Sequence, residues 1–260
     1  MRLLLLIYAM ATCAAAQVYV AFEGDSITDP GSTIGMNQHY PHLVSTFFGA
    51  ATTDYVNYAG AAFNAYVPAK GGSVVCCTVS GWDATLNMTY RIASVEAYFT
   101  TGQPIQILSI LIGRNDMVAG GPGQMTPVVF TANLKTYCQT FRAAKPTVKI
   151  VILSILPSVA AGFNASRNAA NSLIAADPSF YDLFVPGIAA DSTIGCDGCA
   201  ANSTYYVDGT HPTAAGHVVI APYVEAAIEQ LIAPPASTVR SGITGSGILA
   251  ALMQGRMIAQ

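Results

Sequence analysis

The sequence predicts an α/β fold, a three-layer α/β/α sandwich around a five-stranded parallel sheet, and three observations lead to it. Short apolar runs rich in β-branched residues recur at residues 18–22, 105–112 and 147–156, the length and composition of strands buried on both faces. Segments with helical spacing of apolar residues lie between them. Strand and helix therefore alternate, as a parallel sheet covered by helices on both faces requires. The third observation is length: about 244 residues follow an N-terminal leader, which suits one α/β domain better than two.

The leader is residues 1–16. Met1-Arg2, an apolar run to about Met10 and the small-residue stretch ending Ala14-Ala15-Ala16 have the layout of a secretory signal peptide cleaved before Gln17. A spanning helix would need about twenty apolar residues. The three residues before Cys13, Met10-Ala11-Thr12, do not form a lipobox.

The mature chain, taken in order, opens on strand 18–22, ended by Gly24. A Gly, Pro and Thr-rich loop follows over 27–37, then a helix over 37–48 closed by Gly49. Residues 53–58 read as the second strand and 59–64 as a strand-to-loop junction of small residues, where backbone can approach a ligand closely. Residues 65–83 form a long loop holding Gly71, Gly72, Cys76, Cys77 and Trp82, the last either core or a wall of a cleft. A helix over 84–98 stops near Gly102-Gln103-Pro104. Residues 105–112 are the strongest strand signal and belong at the sheet centre. Thr126 and Pro127 mark the start of a helix to residue 144, as N-cap and first helical position. Strand 147–156, helix 165–176, a short strand at 183–185, a cysteine loop and a last helix over 212–232 complete the pattern. Right-handed crossovers favour the flavodoxin-like order 2-1-3-4-5, which sets strands 18–22 and 105–112 side by side. Beyond Pro234-Pro235 the chain is small and apolar to Gln260, without a fold signal, and reads as a disordered or loosely docked tail.

Composition narrows the function. A net charge of -3 with only 10% charged residues leaves no basic footprint for nucleic acid, and no later run is long enough for stable membrane insertion. Cys76, Cys77, Cys138, Cys196 and Cys199 survive processing, an odd count that leaves at least one thiol unpaired within the chain. In a secretory compartment Cys196-Asp197-Gly198-Cys199 reads as a local disulfide pinning a loop, ahead of a redox pair. Sequons at Asn87, Asn164 and Asn202 are glycosylation candidates.

Chemistry concentrates at three places. Ser26, in Glu23-Gly24-Asp25-Ser26-Ile27, sits at the carboxyl end of the first strand, the edge where open α/β sheets place their ligands. A serine hydroxyl is a poor nucleophile until a base takes its proton. Of the histidines His39, His42, His211 and His217, only His211 has a carboxylate, Asp208, three residues earlier in a turn-forming Asp-Gly-Thr-His-Pro, able to orient its ring. His39 and His42 fall on the first helix and His217 on the last. Asn115, just past the central strand in Gly113-Arg114-Asn115-Asp116, offers a side-chain N–H to a developing oxyanion. Backbone amides at Ser26 and in the 59–63 turn can supply the rest.

Together these segments resemble the SGNH or GDSL family of esterases and lipases over residues 18–231. Gly24-Asp25-Ser26-Ile27 is similar to its first block, Gly113-Arg114-Asn115-Asp116 to its third and Asp208-Gly209-Thr210-His211-Pro212 to its last. The resemblance implies Ser26 as nucleophile, His211 as base, Asp208 as its orienter, and an oxyanion hole from Asn115 and the Ser26 N–H. One block departs from the pattern: five residues after Asn57, where the family has its oxyanion glycine, stands Ala62, with Gly60 nearby, and either amide is left as the remaining donor. The resemblance further implies a secreted monomer that needs no metal or organic cofactor. Its substrate would be a small-molecule or polysaccharide ester, short-chain or carbohydrate acetyl esters first. Lipase or phospholipase activity and a catalytically silent glycan-binding protein are the alternatives, with a thiol oxidoreductase at Cys196 and Cys199 behind them.

Overall fold

The computed structural model describes residues 16–233 apart from 30, 32–33, 54–55 and 78–80. The expected tail and all but the last residue of the expected signal peptide lie outside the described residues. The elements in order are β1 (Val18–Gly24), α1 (Tyr40–Phe47), β2 (Ala51–Thr52), β3 (Asn57–Ala59), β4 (Phe63–Tyr66), α2 (Met88–Tyr98) and β5 (Ile105–Leu111). They continue with α3 (Arg114–Met117), α4 (Pro127–Ala144), β6 (Lys149–Leu153), α5 (Phe163–Ala176), β7 (Leu183–Val185), α6 (Gly187–Ala190) and α7 (Ala214–Ile232).

The strands form one sheet in the order β2-β3-β4-β1-β5-β6-β7. The expected five strands are therefore corrected to seven. β4, β1, β5, β6 and β7 run parallel, and β3 and β2 add to β4 antiparallel at one edge. The strand beside β1 on that side is β4, not residues 53–58, which the sequence marked as the second strand. The physical reason is length: strands of two to four residues, Ala51–Thr52, Asn57–Ala59 and Phe63–Tyr66, are too short for a period-2 pattern to separate them from turns.

Alternation along the long strands sorts side chains into two cores. Val18, Val20 and Phe22 of β1 pack with Val44 of α1 and Ile220, Val224 and Ile228 of α7 on one face. Leu108 and Ile110 of β5 pack with Val95 of α2, Phe130, Leu134 and Phe141 of α4, and Ala170 and Ile174 of α5 on the other. Burying each large apolar side chain contributes roughly 1.5–3 kcal/mol relative to exposure, and β5, with Ile107, Leu108 and Ile110 wholly buried, is the middle one of the five parallel strands, beside β1 at the middle of the whole sheet. Helix starts follow local chemistry. Thr126 caps α4 by accepting from Val129 N–H at 3.3 Å, and Thr213 caps α7 by accepting from Gly216 N–H at 3.2 Å. The expected helix at 84 begins instead at Met88, because Asp83 accepts from Thr85 N–H and closes a separate 3-10 turn over Ala84–Leu86. No helix among the described residues is long and apolar enough to cross a membrane.

This topology fixes one functional edge. β1 and β5 are in register from Val18↔Ile105 to Gly24↔Leu111, so the turns after both strands leave the sheet side by side.

Candidate active site

Ser26 lies in the turn that ends β1. Asp25 holds that turn: its Oδ1 accepts from Ile27 N–H at 3.0 Å, and its carbonyl accepts from Thr28 and Asp29 N–H at 3.0 and 2.9 Å. Gly24 has to lack a side chain, since a Cβ there would stand 2.4 Å from Leu111 O and 2.5 Å from Thr28 Oγ1. The turn is thus pressed against β5, with Ser26 half-buried at its crest.

His211 arrives from the loop before α7. Ser26 Oγ is 2.8 Å from His211 Nε2, and His211 Nδ1 is 2.7 Å from Asp208 Oδ2. A carboxylate only accepts, so Nδ1 carries the ring hydrogen and Nε2 accepts from the serine hydroxyl. The other Asp208 oxygen accepts from Thr210 and His211 N–H at 3.0 and 2.9 Å, which fixes the carboxylate relative to the ring. Partial burial pushes the Asp208 carboxyl up. The bonds from His211, backbone and ring, and from Thr210 outweigh it and hold the group below the usual carboxylate range. Gly209 makes the turn at φ +74°, under Val159, where a Cβ would stand 2.4 Å from Cγ2.

Asn115 sits in α3, directly after β5, and is buried. Its Nδ2 donates to Ser73 O at 3.2 Å and its Oδ1 accepts from Arg114 at 3.3 Å. An amide nitrogen carries two hydrogens, so the bond to Ser73 orients the group without exhausting it. Gly60 and Ala62 are not brought to the site, which corrects the expectation that one of them faces Ser26. Ala62 O accepts from Val18 N–H at 2.8 Å and Gly60 O from Gln17 Nε2 at 3.1 Å, so both lie at the amino end of β1. Ser26 is beyond the carboxyl end, on the order of 20 Å away for a strand of this length. Gly60 has a structural reason instead: a Cβ would stand 2.7 Å from Gly49 O.

The segment that does face Ser26 follows β4. A Cβ on Gly71 would lie 3.8 Å from Ser26 Cβ, and Gly71 N–H donates to Asp29 Oδ2 at 2.9 Å. The signal for it is the alternation Phe63-Asn64-Ala65-Tyr66 running into Gly71-Gly72, short but present. Sequence reasoning also missed Arg91 on α2. Its guanidinium binds the buried carboxylate of Glu23 through Nε at 2.9 Å and through a second nitrogen, and donates to Gly24 O and Ser73 Oγ, each at 3.0 Å. Arg91 so links the end of β1 to the residue that anchors Asn115. Burial raises the Glu23 carboxyl even against the nearby Arg91 charge.

A second buried carboxyl flanks Asn115. Asp116 Oδ1 accepts from Val75 N–H at 2.7 Å, and its Oδ2 is buried without a hydrogen-bond partner. Burial above all, and the neighbouring Asp25 charge, push Asp116 up to about 8, against the bond from Val75. At neutral pH it is therefore a protonated acid. Unfolded, the same group loses its proton near its ordinary 3.8, so between about pH 4 and 8 the unfolded chain binds fewer protons than the fold. Stability falls as pH rises through that window and levels off above it. Asp116→Asn keeps the neutral shape and removes this contribution; its melting temperature is expected to drop less than the wild type's between pH 5 and pH 8. Equal drops would contradict the assignment.

Cys196 and Cys199 are joined by a disulfide in the loop before α7, and Cys138 is buried. Trp82 is 47% exposed, which removes the core reading. Asn202 is exposed; Asn87 is half-buried with a buried amide oxygen, and Asn164 is half-buried with its Nδ2 bonded to Asp197 O at 2.8 Å. His39 and His217 are buried side by side between α1 and α7, and His42 lies on α1, so none joins Ser26. Among the described residues, no group of three or more His, Cys, Asp or Glu could hold a metal ion.

The match to known families decides what this arrangement belongs to. The model of the GDSL-like lipase/acylhydrolase family matches residues 22–219, most of the chain and all of the site. The chain belongs to the GDSL-like lipase/acylhydrolase family. No curated protein matches it by sequence. Solved structures of similar fold include Est24, a carbohydrate acetylesterase from Sinorhizobium meliloti, at 15% identity and TM-score 0.57, covering 83% of this chain and 100% of that one. The native aryl esterase of M. smegmatis is similar at 17% identity and TM-score 0.57, covering 82% and 99%. A family two carbohydrate esterase from Clostridium thermocellum, in complex with cellohexaose, is similar at 17% identity and TM-score 0.56, covering 83% of this chain and 64% of that one. At these identities the likeness is one of fold. The glycine that faces the serine in this chain is Gly71, after β4.

Proposed function

We propose that this protein is a secreted serine esterase that hydrolyses carboxylic esters through an acyl-enzyme on Ser26, with short acyl groups, acetyl esters of carbohydrates first, as its substrates. The single observation behind the reaction is the relay from Ser26 Oγ through His211 to Asp208 at 2.8 and 2.7 Å. In this reading Ser26 attacks the ester carbonyl as His211 Nε2 takes its proton, and Asp208 stabilises the imidazolium that forms. The oxyanion rests on the Ser26 N–H and the remaining Asn115 Nδ2 hydrogen, with Gly71 beside the serine. His211 hands its proton to the leaving alcohol, then deprotonates the water that releases the acid. Asn115→Ala is expected to lower kcat about 10²–10³-fold with little change in KM, the loss found when one preformed oxyanion donor is removed.

The substrate class rests on shape. Asp208 is half exposed and Val159 and Val207 beside His211 are 58% and 57% exposed, an open rim that a bulky alcohol such as a sugar can reach. Trp82 offers an exposed aromatic face two residues from Ala84–Leu86, whose Thr85 accepts from Lys70 of the turn before Gly71. The fold shared with a carbohydrate acetylesterase agrees with this. Secretion rests on the leader pattern of residues 1–16 and on the Cys196–Cys199 disulfide, which an oxidising compartment maintains. The test is a series of 4-nitrophenyl esters from acetate to decanoate beside acetylated xylan or cellooligosaccharides. Highest kcat/KM on acetate with acetate release from the polysaccharide is expected; a maximum at long chains would overturn the acetyl assignment in favour of a lipase.

A further inference from the structure

We propose that Cys76 and Cys77 are a redox modification site, closing a vicinal disulfide on the loop that anchors Asn115. Their sulfurs stand 2.6 Å apart, nearer to a covalent S–S bond of about 2.05 Å than to the contact distance of two separate thiols. Chain geometry produces this approach. Neighbouring side chains of an extended segment point to opposite sides, but Cys77 adopts φ +27°, a left-handed conformation rare outside glycine, and both sulfurs meet. The cysteine inventory agrees. Among the described residues Cys196 and Cys199 bond to each other and Cys138 is buried, which leaves half-buried Cys76 and exposed Cys77 as the remaining pair.

The site is accessible and sits next to the catalytic loop. Cys77 is exposed, and both cysteines line a cleft of about 410 Å³ with Thr89, Ile92 and Tyr137. Cys77 is the more exposed of the two, so an external disulfide reaches it first, and burial first, with Cys77 second, pushes the Cys76 thiol up to about 12. The oxidant is a small-molecule disulfide of the glutathione type. Cys77 thiolate attacks one of its sulfurs and expels a thiol; Cys76 then attacks Cys77 Sγ and expels the second. Two cysteine thiols are oxidised, one external disulfide is reduced to two thiols, and the two cysteine protons end on them. The bond would set the backbone of the residues just before it. Val75 N–H is held by Asp116, and Ser73 O by Asn115, at 2.7 and 3.2 Å, so the loop's conformation reaches the oxyanion side of the site.

The effect on turnover rests on the esterase reading; the bond itself does not, and the experiment separates them. The full chain is deglycosylated, incubated with glutathione disulfide, alkylated in denaturant without reductant and cleaved with trypsin. Residues 71–91 then form one peptide containing Cys76, Cys77 and no other cysteine. It is expected lighter than the dithiol by two hydrogens and free of alkyl groups, and to take two alkyl groups once dithiothreitol is added. Two alkyl groups before reduction, or stable glutathione adducts on both residues, would overturn the proposal. Cys76→Ser is expected to hold one stable glutathione at residue 77, as the first step requires, and no adduct there would contradict the order of attack. On 4-nitrophenyl acetate, reduction is expected to lower kcat by roughly threefold or more through displacement of Asn115. Cys196→Ser/Cys199→Ser should keep that response and Cys76→Ser/Cys77→Ser should lose it; a response surviving in the latter overturns the coupling. A closed bond in a protein without ester turnover overturns the esterase reading and leaves the disulfide standing.

Discussion

Ser26→Ala is expected to lower kcat for ester hydrolysis by about 10⁴-fold or more while leaving the melting temperature within a few degrees of wild type. The change removes one oxygen from a half-buried turn whose conformation is held by Asp25, not by the serine side chain. Stability therefore has little to lose. The chemistry loses its nucleophile, and what survives is whatever rate the oxyanion donors and binding supply without it. His211→Ala is expected to cost about as much, and the double variant no more than either, because base and nucleophile act as a unit. Steady-state kinetics on 4-nitrophenyl acetate, paired with thermal unfolding, reads both quantities. Single losses that multiply in the double variant would mean that the two residues act independently.

The second large effect is on stability. Arg91→Met leaves the wholly buried Glu23 carboxylate without its cation and strips donors from Gly24 O and Ser73 Oγ. Breaking one side of a buried ion pair costs about 3–5 kcal/mol. For a domain of this size that is a melting-temperature loss on the order of 10 °C. Removing both charges, as in Glu23→Leu/Arg91→Met, is expected to recover much of the loss, since the penalty lies in the orphaned charge more than in the missing pair. Urea unfolding of the three variants measures it. A double variant as unstable as Arg91→Met would mean that the donors to Gly24 and Ser73 matter more than the charge balance. Because Ser73 anchors Asn115, the single variant is also expected to lose turnover beyond its unfolded fraction.

The contrast between Ser26 and Gly60 shows how far the sequence reaches. The meeting of Ser26, His211 and Asp208 was legible because each follows a strong local signal, a strand end or a turn, and the parallel neighbours β1 and β5 bring the turns of Ser26 and Asn115 to one edge. The second block failed because counting from Asn57 assumed that the strand there paired with β1. That strand is β3, an antiparallel addition, and β4 takes its place, so the counted residues sit at the opposite end of the sheet. Gly71 stood in what read as a long loop. Arg91 was illegible for another reason: its partner Glu23 is 68 residues away, and only tertiary packing joins an ordinary surface-helix arginine to a strand end. Helix α2 starting late at Met88 is a smaller case, decided by one capping carboxylate at Asp83.

The central claim, that Ser26 is activated by His211 for attack on acyl carbon, is tested most directly by trapping the nucleophile. A fluorophosphonate mimics the ester and leaves a stable bond on an activated serine. Wild type is expected to take up one equivalent, lose ester turnover in proportion, and carry the label on Ser26 in the tryptic peptide ending at Lys70; His211→Ala should label far more slowly. Continued ester hydrolysis with Ser26 unlabelled, or a label on another residue, would contradict the account.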